Sequence, residues 1–225
     1  MTDLNGEIVS SVIVLILYGA IFAAAELAHR RLHLDAEITR KVTHVCGGIL
    51  ALFLPQFFAS HWTVLTLGIL FTLVLLITKR SRLVQSVHDV DRSTNGEIYF
   101  PLALALTYLV ASLTDTFAIY PVAILALTLG DTAAWLTGKL RGKYRYQIFG
   151  DWKSVEGSIA MGLTGTAIVI VFLFVNYPDT AAQMLIIGPL AGTLGAVLEA
   201  ISPRGTDNLT IPLGTWLLLW AIVPR

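Results

Sequence analysis

Apolar stretches alternate along the chain with short polar segments. They run roughly over 8–28, 45–59, 62–78, 98–113, 117–137, 157–175, 182–200 and 210–223. A helix needs about 20 apolar residues to cross a hydrocarbon core of ~30 Å. The pattern therefore predicts an all-α, polytopic integral membrane protein with about eight transmembrane helices. The second stretch holds Gly47, Gly48 and Pro55 and is expected to tilt or break. No tandem repeat, low-complexity segment or linker interrupts the series, so residues 1–225 read as one domain.

Charge adds an orientation. Of the 15 Lys and Arg residues, all but Arg225 fall in every second loop. Arg30, Arg31, Arg40 and Lys41 follow the first stretch; Lys79, Arg80, Arg82 and Arg92 follow the third. Lys139, Arg141, Lys143, Arg145 and Lys153 follow the fifth, and Arg204 the seventh. Basic loops stay in the cytoplasm, which places both termini outside and nearly all reactive side chains on the cytoplasmic face. These loops could also serve only to set topology and touch anionic lipid.

Composition agrees. Hydrophobic residues make up 56% of the chain and charged ones 13%, against about 25% charged in a soluble domain. Net charge is zero, so no field argues for nucleic acid. Cys46 stands alone, which excludes an intrachain disulfide framework. The acidic N-terminus (Asp3, Glu7) and long first stretch do not resemble a cleavable signal.

Several polar groups sit where apolar residues would be expected. Asp131, after Gly130, lies inside an apolar helical pattern and shares a face with Trp135 and Gly138. A carboxylate at mid-membrane depth costs about 2.5–3.5 kcal/mol. It reads as a Mg²⁺ ligand or as one half of a helix–helix hydrogen bond. In "GDWKSVEGS", Ser154 is placed to cap a helix, with Glu156 in its first turn, and Lys153 just before a terminus able to bind phosphate. Gly150 and Gly157 allow close backbone approach; Asp151 is expected to face water. A well-capped helix explains the same residues. The Walker A spacing is absent, since Tyr146 stands where glycine is needed.

Glu199 and Asp207–Asn208 bracket a Pro/Gly turn and offer hard oxygen ligands, or simply turn and cap chemistry. Glu97 opens the fourth stretch, with Pro101 expected in its first turn. His44 lies one turn beyond Arg40 and could be a packed interfacial residue; Glu26 and His29 are weaker candidates. His33, His61 and His88 are assigned to loops. No HExxH, CxxC or GxSxG spacing exists, arguing against a zinc site or a serine-hydrolase elbow.

Taken in order, "RKVTHVCGG", "NGEIYFPLALAL", "GDTAAWLTGKLRGKY", "KSVEGSIAM" and "DNLTIPL" resemble the CTP-dependent lipid kinase family. This is the family of phytol kinases, dolichol kinases and fungal-type diacylglycerol kinases, more distantly similar to phosphatidate cytidylyltransferases. The resemblance runs from about Arg40 to Pro212. It implies transfer of the γ-phosphate of CTP to a long-chain alcohol within a membrane, with Mg²⁺ and no nucleic acid. By resemblance Asp131 and Asp207 are metal ligands with Asn208 beside them. Lys153, Ser154, Glu156, Gly157 and Lys139 belong to the nucleotide segments. Arg40, Lys41, His44 and Glu97 occupy other motif positions. The short chain favours phytol or a related isoprenoid alcohol over dolichol.

Phosphoryl transfer asks a protein mainly for positioning and charge neutralisation. The expected mechanism has Asp131 and Asp207 holding Mg²⁺, Lys153 neutralising phosphate, and Glu97, ahead of His44, taking the alcohol proton. Two alternatives are a cytidylyltransferase making a CDP-lipid from a lipid phosphate and a small ion-coupled transporter using Asp131. The nearly bare far face disfavours transport.

Overall fold

With no water in hydrocarbon to satisfy its N–H and C=O groups, each apolar stretch must bond within itself, and helix is the only solution for a single segment. A computed structural model describes residues 4–81, 84–88, 94–178 and 181–223, and these fold almost entirely as helices. Arg82, Arg92 and Arg225, counted above among the topogenic charges, lie outside the described residues, as does the side chain of His88. The chain divides into two compact units, Met1–Phe117 and Ala118–Arg225.

The first unit contains α1 (Leu4–Leu32), α2 (Ala36–Ala51), α3 (Leu54–Phe57), α4 (His61–Ser81), α5 (Gln85–His88) and α6 (Gly96–Leu113). The second expected stretch is broken: α2 stops at Ala51 and Pro55 falls in the first turn of α3. There its missing N–H does no harm, although the ring would disrupt a helix continuing from α2. Asp35 caps α2, accepting the Glu37 N–H at 2.7 Å. Gly68 sets the crossing of α4 and α6, where a Cβ would stand 2.5 Å from that of Ala105. Tyr18 donates to the Gly47 carbonyl at 2.9 Å, joining α1 to α2. Glu7 accepts the N–H groups of Ala59 and Ser60 just ahead of α4.

Two local expectations change here. Because α6 already begins at Gly96, Pro101 sits inside the helix and beyond its first turn. It cannot supply the N–H that would reach the Glu97 carbonyl. His61 is the first residue of α4 and its Nδ1 meets the Ser112 hydroxyl at 3.0 Å, so it is no loop residue.

The second unit contains α7 (Tyr120–Leu125), a π-helical segment (Ala126–Gly130), α8 (Asp131–Arg141), β1 (Arg145–Ile148), β2 (Asp151–Ser154), α9 (Val155–Asn176), α10 (Ala181–Ile201) and α11 (Asp207–Ile222). Its core gathers Tyr120, Ile124, Leu127, Met161, Leu173, Ile211 and Leu219, all fully buried. The hairpin departs from the all-α expectation. Phe149 and Gly150 form its two-residue turn, with φ of 48° and 91°, the left-handed pair that matches strand twist. The strands are four residues each, too short to give a clear alternating signal.

Six helical segments among the described residues are long and apolar enough to cross a membrane: α1, α4, α6, the continuous run Tyr120–Arg141, α9 and Gln183–Ile201 of α10. α2 and α11, at 16 residues each, fall short of that length. The apolar side chains point outward as well as inward: Leu163 and Phe174 on α9 are each 67% exposed. Helices that are hydrophobic all round belong in lipid.

Small residues bring α9 and α10 together, as suits helices that cannot rely on a hydrophobic drive within a bilayer. A Cβ on Gly165 would lie 3.2 Å from the Gly192 Cα, and one on Gly192 would collide with the Gly162 carbonyl and Thr166. Gly192→Leu is therefore expected to destabilise the second unit by about 1–3 kcal/mol, the usual scale of overpacking. A lowered thermal midpoint in detergent would show it; an unchanged midpoint would mean the two helices have room to part.

Candidate active site

The polar groups of the second unit converge where the hairpin meets three helices. In the hairpin register Tyr146 pairs with Lys153 and Gln147 with Trp152. Cross-strand partners share a face, so Tyr146 and Lys153 point one way and Trp152, 63% exposed, the other. Lys153 Nζ donates to Glu199 Oε1 at 2.6 Å and lies 3.5 Å from Asp207 Oδ2. Glu199 lies in the last turn of α10 and Asp207 begins α11, and both are buried. The turn between them brings two acids eight positions apart to one ammonium.

Burial pulls the Lys153 pKa down, but the charges of Asp207 and Glu199, the Glu199 hydrogen bond and the more distant Asp131 outweigh it and hold it above its ordinary value. Lys153 is thus a fixed cation. Asp131 stands directly after the π-helical segment, a rare distortion that recurs at functional sites, and its carboxylate acts on the Lys153 charge.

The remaining expected residues of this unit divide by role. Ser154 caps α9, its hydroxyl accepting the Gly157 N–H at 3.1 Å. Gly157 is required sterically, since a Cβ would lie 2.8 Å from the Ala134 carbonyl oxygen where α9 crosses α8. Glu156 accepts the N–H groups of Lys143 and Tyr144, which fixes the approach to β1. Lys139 lies over the Trp135 ring, 5.3 Å from its centre. Asn208 donates to the Asp207 and Gly205 oxygens at 3.2 Å each, while its buried Oδ1 has no hydrogen-bond partner among the described residues. Asp151 does not simply face water: it accepts the Arg204 N–H and ties the α10–α11 turn to β2.

Arg40, Lys41, His44 and Glu97 belong to the first unit. Glu97 bridges two cations, with Arg40 at 3.3 Å and Lys79 at 2.7 Å. Lys79 also donates to the Thr94 carbonyl and Asn95 Oδ1, clamping the start of α6. Lys41 is buried, and His44 packs on the Phe100 ring at 4.5 Å. Glu26 pairs with Arg30 and accepts the Ser86 N–H, and His29 Nδ1 meets the Leu34 carbonyl.

Nothing in the sequence marks Lys79, Tyr146 or Ser158 as site residues, and Glu199 stands there only as half of an acidic bracket. Lys79 was legible only as a topogenic charge. Glu199 carried the clearer signal, an acid closing an apolar helix just ahead of "DN".

Among the described residues no three His, Cys, Asp or Glu side chains form a ready-made metal cage. Mg²⁺ does not require one; it is commonly held by one or two carboxylates together with substrate phosphates and water. Asp207 and Asp131 supply the hard oxygens that such a cation takes, so the donor chemistry fits.

No family model matches the chain, and no solved structure matches it. It is 32% identical over 207 residues to a phytol kinase from Synechocystis sp., an alignment covering 90% of this chain and 87% of that protein.

Proposed function

We propose, since this chain belongs to the CTP-dependent lipid kinase family that includes phytol kinase and is therefore a phosphotransferase with an alcohol acceptor, that it transfers the γ-phosphate of CTP to phytol or a related long-chain isoprenoid alcohol. The observation that carries the reading is the Lys153 ammonium, held beside Glu199 and Asp207 at the start of α9. A rigid cation at a helix N-terminus is suited to polyphosphate, through its charge and through the dipole behind it. Asp131 and Asp207 would hold Mg²⁺, which when bound neutralises phosphate charge and polarises the phosphoryl group. Lys139 and Asn208 complete the proposed nucleotide contacts, while Ser154, Glu156 and Gly157 shape the hairpin and helix start that present Lys153.

In the first unit, Arg40 and Lys41 are proposed to act towards the nucleotide. Glu97, held by Arg40 and Lys79, is proposed to accept the alcohol proton, with His44 as the second candidate. Residues 1–225 are proposed to act as one catalytic domain. The alternation of basic loops supports eight crossings, both termini outside and chemistry at the cytoplasmic face. The lipid tail would remain in the bilayer with its hydroxyl at that face.

Purified protein in detergent, given CTP or ATP with phytol, geranylgeraniol, farnesol, dolichol or diacylglycerol, tests the reading. Phosphorylation of an isoprenoid alcohol, best with CTP, is the expected result. Preference for diacylglycerol, or for ATP at equal concentration, would overturn the substrate assignment.

A further inference from the structure

Lys153 touches two carboxylates, and they are held differently. Glu199 uses both oxygens: Oε1 takes Lys153 at 2.6 Å and Oε2 accepts the Ser158 hydroxyl at 3.2 Å. Ser158 in turn shares a 2.5 Å hydrogen bond with the Tyr146 hydroxyl. Tyr146 is the strand partner of Lys153. The circuit therefore closes on itself, from β1 through α9 and α10 back to β2. Asp207 meets Lys153 only at 3.5 Å, and its other oxygen lies against the Asn208 side-chain and backbone N–H groups.

We propose that Glu199 is a positioning residue for Lys153, itself oriented by Ser158 and Tyr146, and that the looser Asp207 contact is the one a nucleotide phosphate displaces. The inference rests on the reading of Lys153 as the phosphate-binding cation. A flexible lysine side chain with four rotatable bonds aims its charge poorly unless something fixes it. A buried carboxylate hydrogen-bonded on both oxygens can fix it, because moving it would strand a charge without a partner. A phosphate arriving at Lys153 can replace the 3.5 Å contact while the 2.6 Å contact keeps the ammonium in place. Asp207 is then released from Lys153, as its proposed metal-binding role requires. Ser158 and Tyr146 act one step removed, by holding Glu199 in the rotamer that meets Lys153.

The test compares wild type with Glu199→Gln, Ser158→Ala, Tyr146→Phe, Ser158→Thr and the Glu199→Gln/Ser158→Ala pair. The readouts are equilibrium binding of radiolabelled CTP and the KM values for CTP and alcohol. Glu199→Gln is expected to weaken CTP binding and raise the CTP KM about tenfold, the scale of one charge-assisted hydrogen bond, with the alcohol KM unchanged. Ser158→Ala and Tyr146→Phe should move the CTP values the same way by a few-fold, and Ser158→Thr, which keeps the hydroxyl, should restore them. The double variant should be no worse than Glu199→Gln alone, because Ser158 acts through Glu199. Unchanged CTP binding in Glu199→Gln, or losses that multiply in the double variant, would overturn the proposal. Equal damage to both KM values would overturn it too, since a residue that acts only by positioning the phosphate-binding cation should leave alcohol binding untouched. Lys153→Ala separates the two levels. If it leaves CTP binding intact, the phosphate reading itself falls; if it abolishes binding while Glu199→Gln does not, only the positioning role falls.

Discussion

Lys153→Ala is expected to lower phosphoryl transfer by about 10²–10³-fold, the usual loss when one preorganised group stabilising transition-state charge is removed. The effect should be at the large end because the substitution takes away more than a donor. Glu199 and Asp207 are both buried and would face each other without their shared counter-ion. Incoming polyphosphate would meet two carboxylates and no ammonium, so attraction becomes repulsion. Lys153→Arg should recover only part of the activity, because a planar guanidinium cannot occupy the position of a compact ammonium against the same oxygens. Steady-state rates, measured on variants shown by their thermal midpoints to be folded, provide the check. Activity within threefold of wild type in Lys153→Ala would remove this residue from the reaction.

Asp131→Asn is expected to cut activity by about 10²-fold while leaving the thermal midpoint unchanged or higher. The two effects diverge for a physical reason. A carboxylate within an apolar helix costs free energy on insertion that a neutral amide of the same shape largely avoids. On the proposed metal-binding role, Asp131 is kept against that cost for its chemistry, and removing it trades function for stability. Its position directly after the π-helical segment supports the same view, since that distortion also gives up regular helix bonding. The Mg²⁺ concentration giving half-maximal rate should rise in the variant. Wild-type Mg²⁺ dependence would show that Asp131 does not hold the metal.

Asp131 was legible because a single acid in an apolar run breaks a pattern that is otherwise unbroken. The same contrast exposed Asp207 and the "KSVEGS" segment, and the helical character of the chain followed from apolar length. The hairpin was not legible. Its strands are four residues long, and its turn, Phe149–Gly150, lacks the Asn or Asp that usually announces a two-residue turn. Without the hairpin, Lys153 reads as a loop residue and nothing indicates that it shares a face with Tyr146. The pairing of Glu199 with Lys153 was hidden for a different reason. It spans 46 positions, and local periodicity holds no information about contacts at that separation. Lys79 stood in a basic loop whose topogenic meaning was sufficient by itself, so its ion pair with Glu97 could come only from three-dimensional packing. Helix bounds were legible to within about four residues except in the second stretch, where α2 begins at Ala36 because its first turns are too polar to read as apolar, and the two prolines act differently. Pro55 divides α2 from α3, whereas Pro101 is absorbed within α6.

Kinase and cytidylyltransferase chemistry are separated by following the label on CTP. Two parallel reactions with phytol, one with γ-labelled and one with α-labelled CTP, are extracted into organic solvent and the aqueous products are identified. A kinase leaves γ-label in the lipid phase, releases CDP one for one and transfers no α-label, and this is the expected result. Lipid-phase α-label with release of pyrophosphate, when a lipid phosphate replaces phytol, and no γ-label transfer to any alcohol would contradict it and mark a cytidylyltransferase.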